Sequence, residues 1–169
     1  MDLITDTNIW IDFITVEALK LPFMLRHQLF ICKETFIDEL LFPVGINKDL
    51  LEYGLKPIEM EEIEYIKALE LLRQYPKLST YDTIALSISI NRKINLLTGD
   101  KRLKQAAKDF GIKTHGTLWV FDELLHDKTI SQKDYIKYME KLKENCGKKI
   151  RLPILEIEKR IKKCNFIIK

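Results

Sequence analysis

The stretch Ile94-Asn95-Leu96-Leu97-Thr98-Gly99-Asp100 decides which fold the sequence predicts. Its apolar part, Ile94–Thr98, is short and continuous, as expected of a strand buried on both faces of a parallel sheet. Gly99 and Asp100 close the strand, and Lys101–Phe110 follows with the apolar spacing of a helix. A strand that passes through a short polar turn into a helix is the building unit of α/β folds.

The rest of the sequence alternates strands and helices in the same way. Met1–Thr5 predicts a strand that ends on Asp6, and Gln28–Cys32 predicts a second buried strand. Leu55–Ile58 predicts a weak strand or connector, and Ile112–Thr114 is short and extended. Apolar spacing, caps and prolines predict helices from near Glu34 and at Asn47–Tyr53, Glu61–Gln74, Ser79–Asn91, Leu118–Leu125, Ser131–Leu142 and Pro153–Lys162. This order predicts an α/β fold with a parallel sheet.

Two of these predicted helices show which side chains are available to a core. Glu61–Gln74 has amphipathic spacing, with acids opposite an apolar face formed by Ile63, Ile66, Leu69 and Leu72. Ser79–Asn91 offers Ile84, Leu86 and Ile88.

Length and composition narrow the class of protein. A chain of 169 residues with 46% hydrophobic and 31% charged residues predicts one ordinary globular core. The apolar runs are too short for a transmembrane helix, and the N-terminus lacks the pattern of a secretory signal. Three scattered cysteines, Cys32, Cys146 and Cys164, predict reduced thiols rather than a zinc site or disulfides. We therefore expect a soluble, cytoplasmic protein with no membrane partner.

Four carboxylates are predicted to meet at one edge of the sheet. Asp6 follows the first strand, and Asp100 follows the strand at Ile94–Thr98. Glu39 lies one or two turns into the helix after the second strand, and Asp82 lies in the first helical turn after Ser79. Ligand sites of parallel α/β sheets lie beyond the carboxyl ends of the strands, where these four elements converge.

Such a cluster of acids predicts a bound cation. Two carboxylates about 4 Å apart repel each other by about 4 kcal/mol at an effective dielectric constant near 20. Oxygen ligands without organised His or Cys indicate Mg²⁺ or Mn²⁺, as one or two ions. These ions activate water and stabilise charge on a scissile phosphate, so the pattern predicts hydrolysis of phosphodiester bonds.

Four short motifs, in this order, resemble the PIN-domain family. They are Asp6-Thr7-Asn8, Glu39-Leu40, Ser79-Thr80-Tyr81-Asp82 and Leu97-Thr98-Gly99-Asp100. The resemblance covers about Met1 to Trp119, because Gly116-Thr117-Leu118-Trp119 also resembles a frequent terminal PIN segment. Each motif is weak by itself, and the ordered set is specific.

The resemblance implies a Rossmann-like three-layer α/β/α sandwich with a central parallel sheet, and a ribonuclease dependent on Mg²⁺ or Mn²⁺. It implies four catalytic and metal-binding acids with two polar supports: Asp6, Glu39, Asp82 and Asp100, with Asn8 and Ser79. Small bacterial and archaeal PIN proteins of this size are often VapC-like toxins. That class implies an RNA substrate, an antitoxin partner and a homodimer.

The sequence departs from the compact toxin pattern beyond its PIN-like part. Helices from Ser131 onward extend past that pattern, so we divide the chain into a nuclease domain at 1–126 and a C-terminal helical extension at 127–169 that packs on it. Asp38 and Glu39 are adjacent, and Glu39 is preferred for the site because Leu40 completes the family pair. Asp12 is interpreted as a surface or capping residue.

Several alternatives stay open at this point. Each acid taken alone has a structural explanation, since an Asp before a helix is often an N-cap. The basic residues Lys101, Arg102 and Lys104 either contact RNA phosphates beside the crevice or form a solvated helix face. A non-catalytic PIN module that binds RNA or a protein partner is the competing function. A phosphatase of the haloacid-dehalogenase type is disfavoured because Asn8 replaces its second carboxylate.

Overall fold

The computed structural model describes the backbone of residues 2–167 and the side chains of residues 2–164. Met1 of the first predicted strand, and residues 168–169 of the predicted extension, lie outside this range. Five parallel strands form one sheet: β1 (Asp2–Thr5), β2 (Gln28–Cys32), β3 (Lys56–Ile58), β4 (Asn95–Leu97) and β5 (Thr114–His115). Their order in the sheet is β3-β2-β1-β4-β5.

Helices cover both faces of this sheet, which confirms the predicted three-layer α/β/α fold with a parallel sheet. In chain order the α-helices are α1 (Thr7–Thr15), α2 (Lys33–Asp38), α3 (Ile46–Tyr53), α4 (Glu62–Gln74), α5 (Thr80–Arg92), α6 (Lys101–Asp109), α7 (Thr117–His126), α8 (Gln132–Asn145) and α9 (Ile154–Ile167). No helix among residues 2–167 is long and apolar enough to cross a membrane.

Neighbouring residues of β1 belong to opposite sides of the core. Leu3 lies in an apolar cluster with the helices α1, α2, α3, α7, α8 and α9, and Ile4 lies in a second cluster with α4, α5 and α6. This alternation follows from the two-residue period of a strand. The helices α8 and α9 contribute Met139 and Ile157 to the same cluster as Leu3, so the C-terminal helices share the core of the N-terminal part.

The register of the central strands places the candidate site. Thr5 of β1 is the partner of Leu97 of β4, so Asp6 and Thr98 are the next residues on two neighbouring parallel strands. The backbone N–H of Asp6 donates to the Leu97 carbonyl oxygen at 3.0 Å. Both chains therefore leave the sheet side by side at its carboxyl edge.

The helix α4 buries a different face from the one its apolar spacing indicated. Ile63, Ile66 and Leu69 are 60%, 53% and 59% exposed, whereas Glu64 and Leu71 are buried. The fold tolerates the buried charge of Glu64 because Arg92 of α5 donates to both oxygens of its carboxylate, at 2.6 and 2.7 Å. The amphipathic pattern therefore predicted the helix correctly and its orientation wrongly.

The segment after β2 also differs from its prediction. The helix α2 is six residues long and ends at Asp38, so Glu39 is its C-cap residue rather than a position inside the helix. The chain after Leu40 is exposed, including Phe42 at 78% and Val44 at 90%. The turn ends at Gly45, whose φ of +90° lies in the left-handed region that glycine adopts at little cost.

Candidate active site

Asp6 is the most firmly held acid of the site. Its side chain is 5% exposed. The same carboxylate oxygen, Oδ2, accepts hydrogen bonds from Thr98 Oγ1 at 2.8 Å and from Asn8 Nδ2 at 3.0 Å. A buried carboxylate needs such donors because its desolvation is otherwise costly. The predicted support Asn8 therefore contacts Asp6, and Thr98 is a second support that the sequence did not single out.

Asp100 follows β4 and begins α6. Its Oδ1 accepts the backbone N–H groups of Arg102 and Leu103, both at 2.8 Å, which makes Asp100 the N-cap of that helix. Its own N–H donates to Thr98 Oγ1 at 3.0 Å. Among the described residues no hydrogen bond reaches Oδ2 of Asp100. Asp100 therefore has a structural role as an N-cap, and this role uses only one of its two carboxylate oxygens.

Asp82 is held by a reciprocal capping box at the start of α5. Its Oδ2 accepts the Ser79 N–H at 2.8 Å, while its own N–H donates to Ser79 Oγ at 3.1 Å. Desolvation raises the pKa of Asp82, and the negative charges of Asp6 and Asp100 act in the same direction. The bonds to Ser79 oppose this rise. The predicted support Ser79 therefore fixes this acid.

Glu39, rather than Asp38, faces the other acids. Thr7 Oγ1 donates to Glu39 Oε2 at 2.8 Å, whereas Asp38 accepts from the Tyr81 hydroxyl at 2.9 Å. Partial desolvation raises the pKa of Glu39, and the negative charges of Asp6, Asp82 and Asp38 add to this effect. Thr7 and Thr98 both lie inside the PIN-like motifs of the sequence. This position was the only feature of the sequence that could have indicated that they bond the acids.

The four predicted acids therefore share one electrostatic environment at the carboxyl edge of the sheet. Within the described part of the chain, however, no three His, Cys, Asp or Glu side chains are arranged to hold one metal ion. The donor set fits a divalent cation, because it consists of carboxylate oxygens whose mutual repulsion a cation offsets.

The predicted RNA-contacting trio does not form one group. Lys101 and Lys104 line a cavity of about 400 Å³ between α6 and β5. Arg102 is exposed on the same helix and donates to the Lys77 carbonyl oxygen at 3.3 Å, and it does not line that cavity. The two lysines therefore lie along the cavity, whereas the arginine packs against the chain before α5.

Asp12 is a buried residue, and its interpretation as a surface or capping residue was wrong. It is 7% exposed and accepts a hydrogen bond from the Thr117 hydroxyl. Burial raises the pKa of Asp12 to about 6, against the lowering effects of the Thr117 hydrogen bond and the Lys104 charge. Lys104 is itself half-buried, and desolvation lowers its pKa while Asp100 and Asp12 both act to raise it.

A cluster of carboxylates at the carboxyl edge of a parallel sheet defines an α/β protein suited to a cationic ligand. Comparison with protein-family models matches residues 2–165 to the PIN domain, so the chain belongs to the PIN-domain family. PIN domains are generally nucleases. Neither the curated proteins nor the solved structures that were searched contain a significant match to this chain.

Proposed function

We propose that this chain is an endoribonuclease that hydrolyses RNA phosphodiester bonds with Mg²⁺ or Mn²⁺. The observation that carries the proposal is the convergence of Asp6, Glu39, Asp82 and Asp100 from four separate elements. Each of Glu39 and Asp82 has a raised pKa to which the other acids contribute. Such clustering destabilises the metal-free protein, and it is the arrangement that a divalent cation stabilises.

The described side chains divide the work of such a site between ligands and supports. Bound Mg²⁺ or Mn²⁺ would supply an activated water and would neutralise charge developing on the phosphate. The four acids would hold the ion or ions. Thr98 and Asn8 orient the carboxylate of Asp6, since both donate to the oxygen Oδ2. Fixing ligand orientation in this way is the usual role of outer hydrogen-bonding groups around metals.

The raised pKa values give the proposed activity a direction with pH. Glu39 and Asp82 hold their protons to higher pH than ordinary carboxyl groups do. A metal ion binds only the deprotonated carboxylates, so metal affinity should rise with pH across the range where these two groups titrate. Affinity measured by Mn²⁺ titration at a series of pH values tests this direction.

A cleavage assay tests the proposal directly. Purified protein is incubated with a fluorescent single-stranded RNA of mixed sequence in Mn²⁺, Mg²⁺ or EDTA. We expect cleavage with metal, none in EDTA, and loss of cleavage in Asp82→Asn and Asp100→Asn. The adjacent acids supply a matched control: Glu39→Gln should lose activity, whereas Asp38→Asn removes the same charge beside it and should retain activity.

The competing candidate is a non-catalytic PIN module that binds RNA or a protein partner. One observation favours it: no three carboxylates among the described residues are close enough to hold a metal ion. Intact RNA with both metals, together with no Mn²⁺ binding by the folded protein, would establish this candidate instead.

We also propose that a protein partner controls the activity, as in the toxin class that the sequence resembles, and that the chain forms a homodimer. The support is a set of exposed apolar side chains in the loop next to Glu39: Leu41, Phe42 and Val44. Apolar surface of this kind is typical of protein interaction sites. Light scattering of the purified chain measures the dimer, and a monomer at all concentrations would contradict it.

A further inference from the structure

A cavity between α6 and β5 has the composition of a phosphate-binding site. It measures about 400 Å³ and is lined by Lys101, Lys104, Gln105, Lys108, Ile112 and Thr114. The three lysines occupy positions i, i+3 and i+7 of α6, which places them on one face of the helix. Three lysines along one cavity attract a polyanion, because each phosphate of a nucleic-acid strand carries a negative charge.

Lys104 is the least exposed of the three lysines that line this cavity. It is half-buried, and it makes no ion pair with a carboxylate among the described side chains. Its Nζ lies against the backbone of Gly116: a Cβ at that glycine would be 3.0 Å from Nζ and 3.4 Å from the Thr98 carbonyl oxygen. A larger residue at position 116 would therefore crowd the Lys104 ammonium group. This group lies next to the end of β4, which leads to Asp100.

The buried acid Asp12 gives this ammonium group a counter-charge. Asp12 and Asp100 both act electrostatically on Lys104. A carboxylate that is 7% exposed and bound by one hydroxyl is expensive to maintain, since burying a charge costs several kcal/mol without a partner. The Thr117 hydrogen bond and the charge of Lys104 both favour the ionised form of Asp12, although burial outweighs them. Asp12 therefore acts on Lys104 through its charge, without an ion pair between the two side chains.

We propose that this cavity binds phosphate groups of the RNA strand next to the bond that is cut, and that the charge of Asp12 helps to position Lys104 for this binding. The proposal rests on the proposed function for its location beside Asp100. Lys101 and Lys108 then contact phosphates farther along the strand, because they are exposed on the same helix face. Arg102, on a different side of α6, has no part in this binding.

RNA binding tests the proposal separately from cleavage. The full chain carrying Asp82→Asn is titrated in Mg²⁺ against a short labelled single-stranded RNA, and anisotropy gives the affinity at several salt concentrations. A gel confirms that the RNA stays intact. We expect Lys101→Gln and Lys108→Gln each to weaken binding at every salt concentration and to lower the salt slope by about 0.7. Arg102→Gln removes one equal charge from the same helix and should leave both quantities unchanged.

A double-mutant cycle tests the role of Asp12. Lys104→Gln and Asp12→Asn should each weaken RNA binding, and the double variant should bind no worse than Lys104→Gln alone, since Asp12 acts through that lysine. Gly116→Ala keeps every charge and should also weaken binding by displacing the ammonium group. Melting curves of the same proteins separate these effects from unfolding.

Two outcomes overturn the proposal. One is an equal loss of affinity in Arg102→Gln and the lysine variants, which would indicate a diffuse charge effect. The other is unchanged affinity in the lysine variants. If the parent chain still cleaves RNA with metal in either case, the proposed nuclease activity is retained and only the proposed phosphate site is rejected. Additive losses in the cycle would remove Asp12 from the proposal.

Discussion

The two sides of the acidic site are built in different ways. The inner side, formed by Asp6, Thr98 and Asp100, directly follows the paired strands β1 and β4, and Asp6 is 5% exposed. The outer side, formed by Glu39 and Asp82, lies at helix ends, and Glu39 is exposed with Thr7 as its hydrogen-bond donor. Asp6 is therefore held beside the paired strands through Thr98, and Asp100 combines a bond to Thr98 with the N-cap of α6. On the outer side, a local capping box holds Asp82 and one hydroxyl holds Glu39.

This difference indicates which part of the site is preorganised. Strand pairing fixes Asp6 and Thr98 through the Thr5–Leu97 register. Glu39 follows a six-residue helix and precedes an exposed loop, so fewer contacts hold it in place. We expect substitutions on the inner side to have larger effects than equivalent substitutions on the outer side.

The largest effect is expected from Asp6→Asn. An asparagine retains an oxygen for the Thr98 hydroxyl but removes the charge at the centre of the site, so the fold should survive while cleavage falls by about 10³-fold. Single-turnover cleavage and a melting curve measure the two quantities. A loss no greater than that of Asp38→Asn, whose carboxylate bonds Tyr81 instead, would remove Asp6 from the site.

The next largest effect is expected on stability, from Asp12→Asn behind the inner side. The folded pKa of Asp12 is raised from 3.8 to about 6, so between these pH values the folded protein keeps a proton that the unfolded chain has released. Stability from this group is therefore lost as pH rises through that window. At pH 8 the variant should be more stable by about 3 kcal/mol, and the gain should vanish near pH 4.

Denaturant unfolding at the two pH values measures this difference. A variant that is less stable than the parent at pH 8 would show that Thr117 and Lys104 more than offset the burial of the Asp12 charge.

A smaller effect is expected from Thr98→Val. This change removes the donor to Asp6 and the acceptor of the Asp100 N–H while keeping the side-chain shape. Removing such an outer group typically lowers metal affinity or activity by about 10–100-fold. Calorimetric titration with Mn²⁺ gives the affinity, and Thr83→Val, which alters a hydroxyl bonded to the Thr80 carbonyl oxygen, is the control.

The smallest effect is expected from Thr7→Val on the outer side. It removes the hydroxyl that holds Glu39, but this acid is more exposed than Asp6, so we expect less than about a tenfold loss in the same titration. The ratio of the Thr98→Val and Thr7→Val losses measures the difference between the two sides. A ratio near one would mean that strand pairing confers no extra preorganisation.

The sequence predicted the parts of the structure that depend on local pattern. The buried strands around Leu3, Ile31 and Leu96 follow from continuous apolar runs, and the position of Asp82 follows from the cap at Ser79. The edge at which the acids meet follows from the geometry of parallel sheets. These features need only neighbouring residues and one general rule of topology.

The errors concern packing between distant segments. The orientation of α4 depends on Arg92, which pairs with Glu64 from another helix. The burial of Asp12 depends on Thr117, which lies 105 positions away. A periodic pattern records which side chains are apolar, but it does not record the partner that makes a buried charge tolerable.

The hydrogen bond between Asp6 and Thr98 joins residues 92 positions apart, and it has a consequence for the order of synthesis. While a ribosome makes the chain, β1 emerges early and has β2 as a neighbour, but β4 is still untranslated. Pairing between distant strands cannot begin until both exist. A PIN domain assembled in this order completes its acidic cluster only after more than half of its own message has been read.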